Sequence, residues 1–400
     1  MSEVETIDVL IVGSGPSGTS TALHLIKSDP AWAGRIVIVD KATHPREKLC
    51  GGGITHLGQN VLADLGLALE PRNFEVKEAR LLYHDKSYSF FGNPLFRIVR
   101  RDEFDYWLVQ TAEKLGVRVR QGEAVKEITP HDDHVEVVTE QAVFHAQVVV
   151  AADGSRSYVR RKLKWADDAP GVAHEPHVAR LVAVLTPETT AAPEFRDGVA
   201  VFDFTPMDDD LQGYYWDFPS FIRGKPFMNR GVFDSRARPE KPKADLKEIL
   251  AEEMAERGRR LEDYELKGHP IHWYNKDGRF ARPRVLLVGD AAGADPLVGE
   301  GISFALGYGD PASAAIIDAF NRNDFSFDTY ADRLRVHPLF IHLDKRVRLA
   351  KYAYLLNYPW LAGLGWSVMR LVMRFTSWGN REHVPGRQPA FRLMDLTSQN

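Results

Sequence analysis

Apolar residues follow two rhythms along the chain. Short unbroken runs recur as IDVLIV at 7–12, RIVIVD at 35–40, AQVVVAAD at 146–153 and RVLLVGD at 284–290. Runs of this kind, apolar on both sides of the pleat, predict buried parallel strands. GSGPSG at 13–18 and then STALHLIK, which fits a helix, lie between the first two. Strand, glycine turn, helix and strand in succession predict the first half of a doubly wound unit. The second rhythm is helical. Phe104, Trp107, Leu108, Ala112 and Leu115 recur at helical spacing over 102–116, and Gly116 supplies the stop. Residues 59–67, 244–258 and 297–318 also read as helical.

The middle of the chain, about 170–280, changes character. Aromatics and prolines surround strand-like runs such as VARLVAVL and NRGVFDS, and ARLLYH and SYSFF in 79–91 have the same composition. The predicted fold class is therefore α/β with an inserted, mainly β substrate domain. A discontinuous dinucleotide-binding domain takes 1–75, 96–169 and 281–335. The substrate domain takes 76–95 and 170–280, and a C-terminal helical or tail region takes 336–400.

Composition narrows the function. The 400 residues are enough for two folding units, and a net charge of -4 gives no broad cationic face for nucleic acid. One cysteine excludes an internal disulfide framework and predicts a reducing, cytoplasmic setting. The acidic start MSEVETIDVL is not a signal peptide, and no stretch reads as an ordinary charge-free membrane span. His44, His56, His269 and His272 lie in no ligand-spaced cluster, so no metal site is expected.

Three segments point to one dinucleotide. In GSGPSG, Gly13 suits a tight turn, Gly15 lets a pyrophosphate approach, and Gly18 lets the helix pack closely on the strand. Asp40 ends the next strand, placed to accept a ribose hydroxyl. Asp153-Gly154 follows the third apolar strand. Gly289-Asp290 ends the fourth and is followed by small residues, then Gly299 and Gly301 before a helix start that can face an anion or a carbonyl-rich ring.

GSGPSG, VRRDEFDYWL, AADGSRS and GDAAGADPLVGEGI, in that order, resemble the flavoproteins with the para-hydroxybenzoate hydroxylase type of fold. The resemblance implies a glutathione-reductase-like FAD domain. It implies FAD contacts at Gly13, Gly15, Pro16, Ser17 and Gly18, at Asp40, Lys41 and Arg46, at Cys50, Gly51 and Gly52, and at Arg101, Val125, Asp153 and Gly154. It further implies contacts at Gly289, Asp290, Pro296, Gly299, Gly301 and Ile302. Within that group, KLCGGGIT at 48–55 and GYYWDFP at 213–219 resemble the geranylgeranyl reductases. Asp310 in GYGD is closer to the hydroxylase pattern.

The expected activity is FAD-dependent reduction of a carbon–carbon double bond in a prenyl or other apolar substrate, by hydride transfer from N5 of reduced FAD. The alternative is an FAD-dependent monooxygenase of an aromatic or quinone-like substrate, acting through a peroxyflavin. NAD(P)H or a small electron-transfer protein would supply electrons; no second dinucleotide fingerprint is present. The glycine run is expected to form a wall along the ring. Gly53, Tyr214, Tyr215, Trp216, Phe218 and Pro219 are the candidate substrate residues, with Cys50 and Tyr215 the candidate catalytic ones. As a strand, GYYWDFP puts Tyr214 and Trp216 on one face and Tyr215 and Asp217 on the other. Three readings of 338–374 are carried. It packs on the body of the protein, it covers the far end of an apolar substrate tunnel, or it lies on a bilayer with Trp360 and Trp366 at the interface and Lys345, Arg346, Arg348 and Arg370 outward.

Overall fold

The computed structural model describes residues 4–165 and 178–354. Two eight-stranded sheets organise it. At the centre of the first is Val4–Val12, flanked in parallel by Ile36–Asp40 and Val143–Ala151, with Val9 opposite Ile36 on one side and Val148 on the other. Arg118–Gln121 extends the sheet in parallel beyond Ile36–Asp40, and Val285–Leu287 beyond Val143–Ala151. Residues 36–40 are all buried, as a strand covered on both faces requires. Helix Pro16–Ser28 runs directly out of the glycine turn, with helix Gly309–Arg322 packed against it so tightly that a β-carbon on Gly309 would meet Ser20 and His24.

The second sheet runs, in spatial order, Lys267–His272, Val178–Pro187, Lys225–Asp234, Gly213–Ile222, Val199–Asp203, Asn73–Tyr83, Lys86–Val99 and Gly53–Ile54. Positions 76 and 95, read as domain boundaries, fall inside two long paired strands. The second sheet therefore takes 73–99 whole, and reaches back to the glycine run itself through Gly53–Ile54. Its strands alternate as a sheet with two covered faces must. Tyr214, Trp216 and Phe218 join the main core, while Tyr215 and Val232 pack with Ile249, Leu250 and Met254 of helix Leu246–Glu256. That helix starts where Asp245 accepts from the Lys247 and Glu248 N–H groups, at 2.9 and 3.1 Å.

Helix Pro338–Ala353 buries Leu339, Phe340, Leu343, Val347 and Ala350 against the body. Arg346, read from sequence as outward, turns inward, while Lys345 and Arg348 stay exposed. Trp360, Trp366 and Arg370 lie outside the described residues. Among the described residues, no helix is long and apolar enough to cross a membrane.

Candidate functional site: a dinucleotide cradle against an aromatic sheet face

The cradle starts where Val4–Val12 ends. Gly13 takes φ +109°, open to glycine alone, and its N–H bonds the Val39 carbonyl at 2.8 Å. A β-carbon on Gly18 would collide with the Gly13 carbonyl, so strand and helix meet backbone to backbone. Gly15 differs: a β-carbon there would meet only the Arg46 guanidinium, at 3.6 Å. It caps helix Pro16–Ser28 with no side-chain hydrogen bond, so the first helical N–H groups have no side-chain acceptor at the cap. Pro16 and Ser17 are buried in the first turn.

Asp40 fastens this turn. Its Oδ2 accepts from the Ser14 N–H and hydroxyl at 2.8 and 2.7 Å, and its Oδ1 from the Ala42 N–H at 2.9 Å. Burial alone would raise this carboxyl, but those hydrogen bonds and the Arg46 charge hold it below the usual carboxylate range. Lys41 beside it is exposed, and Val125 sits half-buried at the start of the hairpin strand Val125–Pro130.

Two arginines share one buried carboxylate. Arg101 grips Asp105 with two bonds of 2.7 and 2.8 Å, and Arg46 reaches the same carboxylate at 3.1 Å. Two cations against one anion leave a net positive charge beside Gly15, the complement of a pyrophosphate. Burial disfavours the Arg101 charge, but Asp105 more than offsets this and holds the guanidinium protonated.

The third wall is the loop 289–301. A β-carbon on Gly289 would collide with Ser17, which brings this loop against the first helix. Asp290 accepts from the Ser155 hydroxyl at 3.2 Å, and Gly301 faces it, its β-carbon position 3.9 Å from Oδ1. Pro296 and Ile302 are buried, and Gly299 packs on the Phe233 ring. Asp153 Oδ2 accepts from the Tyr158 N–H at 2.6 Å where helix Tyr158–Lys162 begins, while its buried Oδ1 has no partner among the described residues. Gly154 beside it has no other atom within 4 Å of its β-carbon position. Open glycines at 15 and 154, a helix start without a side-chain cap, paired arginines and a carboxylate oxygen without a hydrogen-bond partner among the described residues fit a phosphate- and hydroxyl-rich dinucleotide such as FAD.

The glycine run is built differently from the expected wall. Gly52 takes φ +82°, and a β-carbon there would collide with the Val99 carbonyl, whose own N–H bonds the Gly52 carbonyl at 2.9 Å. Gly52 is thus a backbone crossing rather than a face toward a ligand. Gly51 faces the Phe218 ring, 3.1 Å from its β-carbon position, and Gly53 faces Phe96 at 3.8 Å. Cys50 is half-buried. Its Sγ accepts weakly from the Gly52 N–H at 3.3 Å, and its carbonyl accepts from Asn229 at 2.7 Å.

The GYYWDFP strand divides as the pleat requires. Tyr214, Trp216 and Phe218 face the glycine run together with Phe96 and Phe202. Their polar atoms bond to protein: the Tyr214 hydroxyl donates to the Val298 carbonyl at 2.6 Å and the Trp216 N–H to Asn229 at 3.1 Å. Tyr215 points to the opposite face. Its hydroxyl donates to Asp217 at 2.7 Å, inside a buried group with Arg230 and Arg257, and burial raises it well above its ordinary value. Alternation puts Pro219 on that same far face. The structure therefore keeps Tyr215 and Pro219 away from the glycine run. Asp310 is likewise remote, paired with His337 at 3.1 Å on a helix surface.

A family model described as FAD binding domain matches residues 6–307. The chain belongs to this family. It is an FAD-dependent oxidoreductase. The menaquinone reductase of Mycolicibacterium smegmatis is 31% identical over 75% of this chain and 73% of its own. A digeranylgeranylglycerophospholipid reductase of Methanosphaera stadtmanae is 25% identical over 81% and 80%. Among solved structures, a geranylgeranyl bacteriochlorophyll reductase-like protein from Thermoplasma acidophilum superposes with TM-score 0.70 at 20% identity, covering 88% of this chain and 87% of that one. A probable FAD-dependent monooxygenase from Pseudomonas aeruginosa shares the fold with TM-score 0.65 at 20% identity, covering 93% and 100%.

Several residues of the site are not among those that the motifs single out. Asp105 was within reach, since it stands four residues after Arg101 on a predicted helix. Ser14 and Asn229 show no such signal. Arg346 does: it falls on the same helical face as Leu339, Leu343 and Ala350.

Proposed function

We propose that this flavoenzyme reduces a carbon–carbon double bond in a prenyl or similarly apolar substrate. The observation that carries the reading is the aromatic face beside the glycine run. Phe96, Phe202, Tyr214, Trp216 and Phe218 pack their rings there, all but Phe202 buried, and both Tyr214 and Trp216 direct their polar hydrogens to protein acceptors. Such a surface recognises a hydrocarbon by burial and gives a polar ring no hydrogen-bond partner. The names of the menaquinone and digeranylgeranylglycerophospholipid reductases support the same substrate class.

When bound, FAD supplies a hydride at N5. The protein's part is placement. Arg46 and Arg101 take the pyrophosphate charge, Asp40 and Asp153 offer carboxylate acceptors, and the loop 295–301 is locked by Arg346 and Tyr214. Outside, helix Pro338–Ala353 shows Ile341, Leu349 and Tyr352 beside Lys345 and Arg348, a mixture suited to lying on a lipid surface where such a substrate dissolves.

The test is anaerobic. Protein with reduced flavin is mixed with menaquinone or a geranylgeranylated lipid while flavin absorbance is followed. Reoxidation without oxygen, with two hydrogens gained in the prenyl chain and not in the quinone ring, is expected. Product that forms only with oxygen and gains an oxygen atom overturns the reading in favour of a monooxygenase.

A further inference from the structure

Lys48 and His269, where the two sheets meet, have no part in the account above. Lys48 Nζ lies 2.6 Å from His269 Nε2. The Ser155 hydroxyl is 3.4 Å from that same nitrogen and 3.2 Å from Asp290 Oδ2. Lys48 leads into Cys50, and His269 belongs to edge strand Lys267–His272. An ion pair between Glu47 and Lys267 closes the junction beside them. On its outer side His269 lines an open cleft of about 560 Å³ with Arg156, Arg180, Arg236, Lys243 and Lys247 around it. Among the described residues, no carboxylate lies within ion-pair distance of Lys48. A buried amine whose hydrogen-bond partner is an imidazole is an unusual structural choice, because it leaves the charge uncompensated.

The electrostatics separate the two groups. Burial lowers the Lys48 amine to about 8; Asp290 and Cys50 oppose this, while Arg101 and Arg46 add to it. Burial and then the Lys48 charge hold His269 at about 4; Asp290 opposes, and Arg156 and Arg101 add. At neutral pH Lys48 therefore carries the proton and donates to a neutral ring. Asp245 is the one carboxylate in the cleft lining, and it caps helix Leu246–Glu256.

We propose that His269 and Lys48 form a proton inlet, carrying protons from the basic cleft to the flavin side of the protein. Lys48 releases one N–H proton inward and becomes a neutral amine. The His269 ring then turns to the cleft, takes a proton from water at Nε2, turns back and passes that proton to the amine, ending neutral with its hydrogen on Nδ1 as it began; one proton leaves water for each one delivered, and no electron moves. The surrounding cations keep the ring neutral between transfers. The inlet answers a need of any flavin reduction, which consumes protons with electrons, and it rests on the flavoenzyme assignment and not on the substrate.

Flash reduction of bound FAD by one electron, followed by absorbance, reads how fast the reduced flavin takes up its proton. H269Q retains an acceptor for Lys48 but cannot relay a proton. It is expected to bind FAD as tightly as the wild type and to take up the proton at least about tenfold more slowly, with imidazole in the buffer restoring the rate. K48R keeps the charge but does not release a proton at neutral pH, and it is expected to be equally slow. Uptake at the wild-type rate in H269Q, or in K48R, overturns the proposal; the latter result would leave Lys48 a purely electrostatic role. Should K48R fail to bind FAD, H269Q and H269N decide it alone.

Discussion

Arg346 joins the C-terminal helix to the loop of the flavin cradle, and its removal has a calculable signature. Its Nη1 donates to Asp295 at 2.8 Å and to Glu300 at 2.6 Å, and both carboxylates are buried, Asp295 completely. Glu300 is held on its other oxygen by Thr55 at 2.5 Å, and Asp295 by the Leu297 N–H at 2.8 Å. Arg346→Met preserves length and apolar stem but leaves two buried anions without a cation. Breaking a buried pair costs about 3–5 kcal/mol, so a loss of about 4 kcal/mol near neutral pH is expected. Burial already holds the Asp295 carboxyl above the usual range, against the pull of Arg346. An acid raised in the folded state binds more protons folded than unfolded, so its contribution to stability is greatest at low pH and declines as pH rises through the folded value. Removing Arg346 raises Asp295 further and extends that decline to higher pH. The variant's deficit should therefore shrink on acidification, by up to about 1.4 kcal/mol per pH unit below the shifted value. Thermal melts of wild type, R346M and R346K across pH measure it. A deficit in R346M that is the same at acid and alkaline pH would refute the account of two stranded carboxylates.

Three further outcomes separate residues that the sequence groups together. G15A should fold with wild-type melting yet bind FAD at least about tenfold more weakly, because its new methyl enters the cradle; G18A, which drives a β-carbon into the Gly13 carbonyl, should lose the fold, and FAD titration with circular dichroism tells them apart. Y215F removes the bond to Asp217 on the far face and should cost about 1 kcal/mol in stability while leaving turnover unchanged; a large fall in turnover at normal FAD content would return Tyr215 to the chemistry. G52V should cost folded yield itself through its strained φ and the Val99 carbonyl, while G53A, with 3.8 Å of room to Phe96, should be tolerated; selective loss of substrate binding in folded G52V would restore the wall.

Local periodicity made the first sheet legible, because a strand buried on both faces writes an unbroken apolar run, as at 36–40. The glycine spacing did the same for the turn, since Gly18 is required by its approach to the Gly13 carbonyl within one strand–helix unit and Gly13 by its own φ of +109°. Orientation was harder. The alternation of GYYWDFP separates Tyr214 from Tyr215, but a period of two is symmetric and cannot say which face meets the glycine run; that is decided by helix Leu246–Glu256 covering Tyr215. Gly52 shows the same limit from another side. Three glycines in a row announce a backbone constraint, but the atom imposing it, the Val99 carbonyl, is 47 positions away and is placed only by the pairing of Gly53 with Ile98. Arg346 stood on a buried helical face all along. A cation at such a position signals a distant carboxylate, and here the fold places two of them on the loop that the glycine motifs had already marked. A charged residue in register with a helix's apolar stripe is thus a better pointer to the site than the aromatic motif beside it, because burial without a partner is too costly to persist.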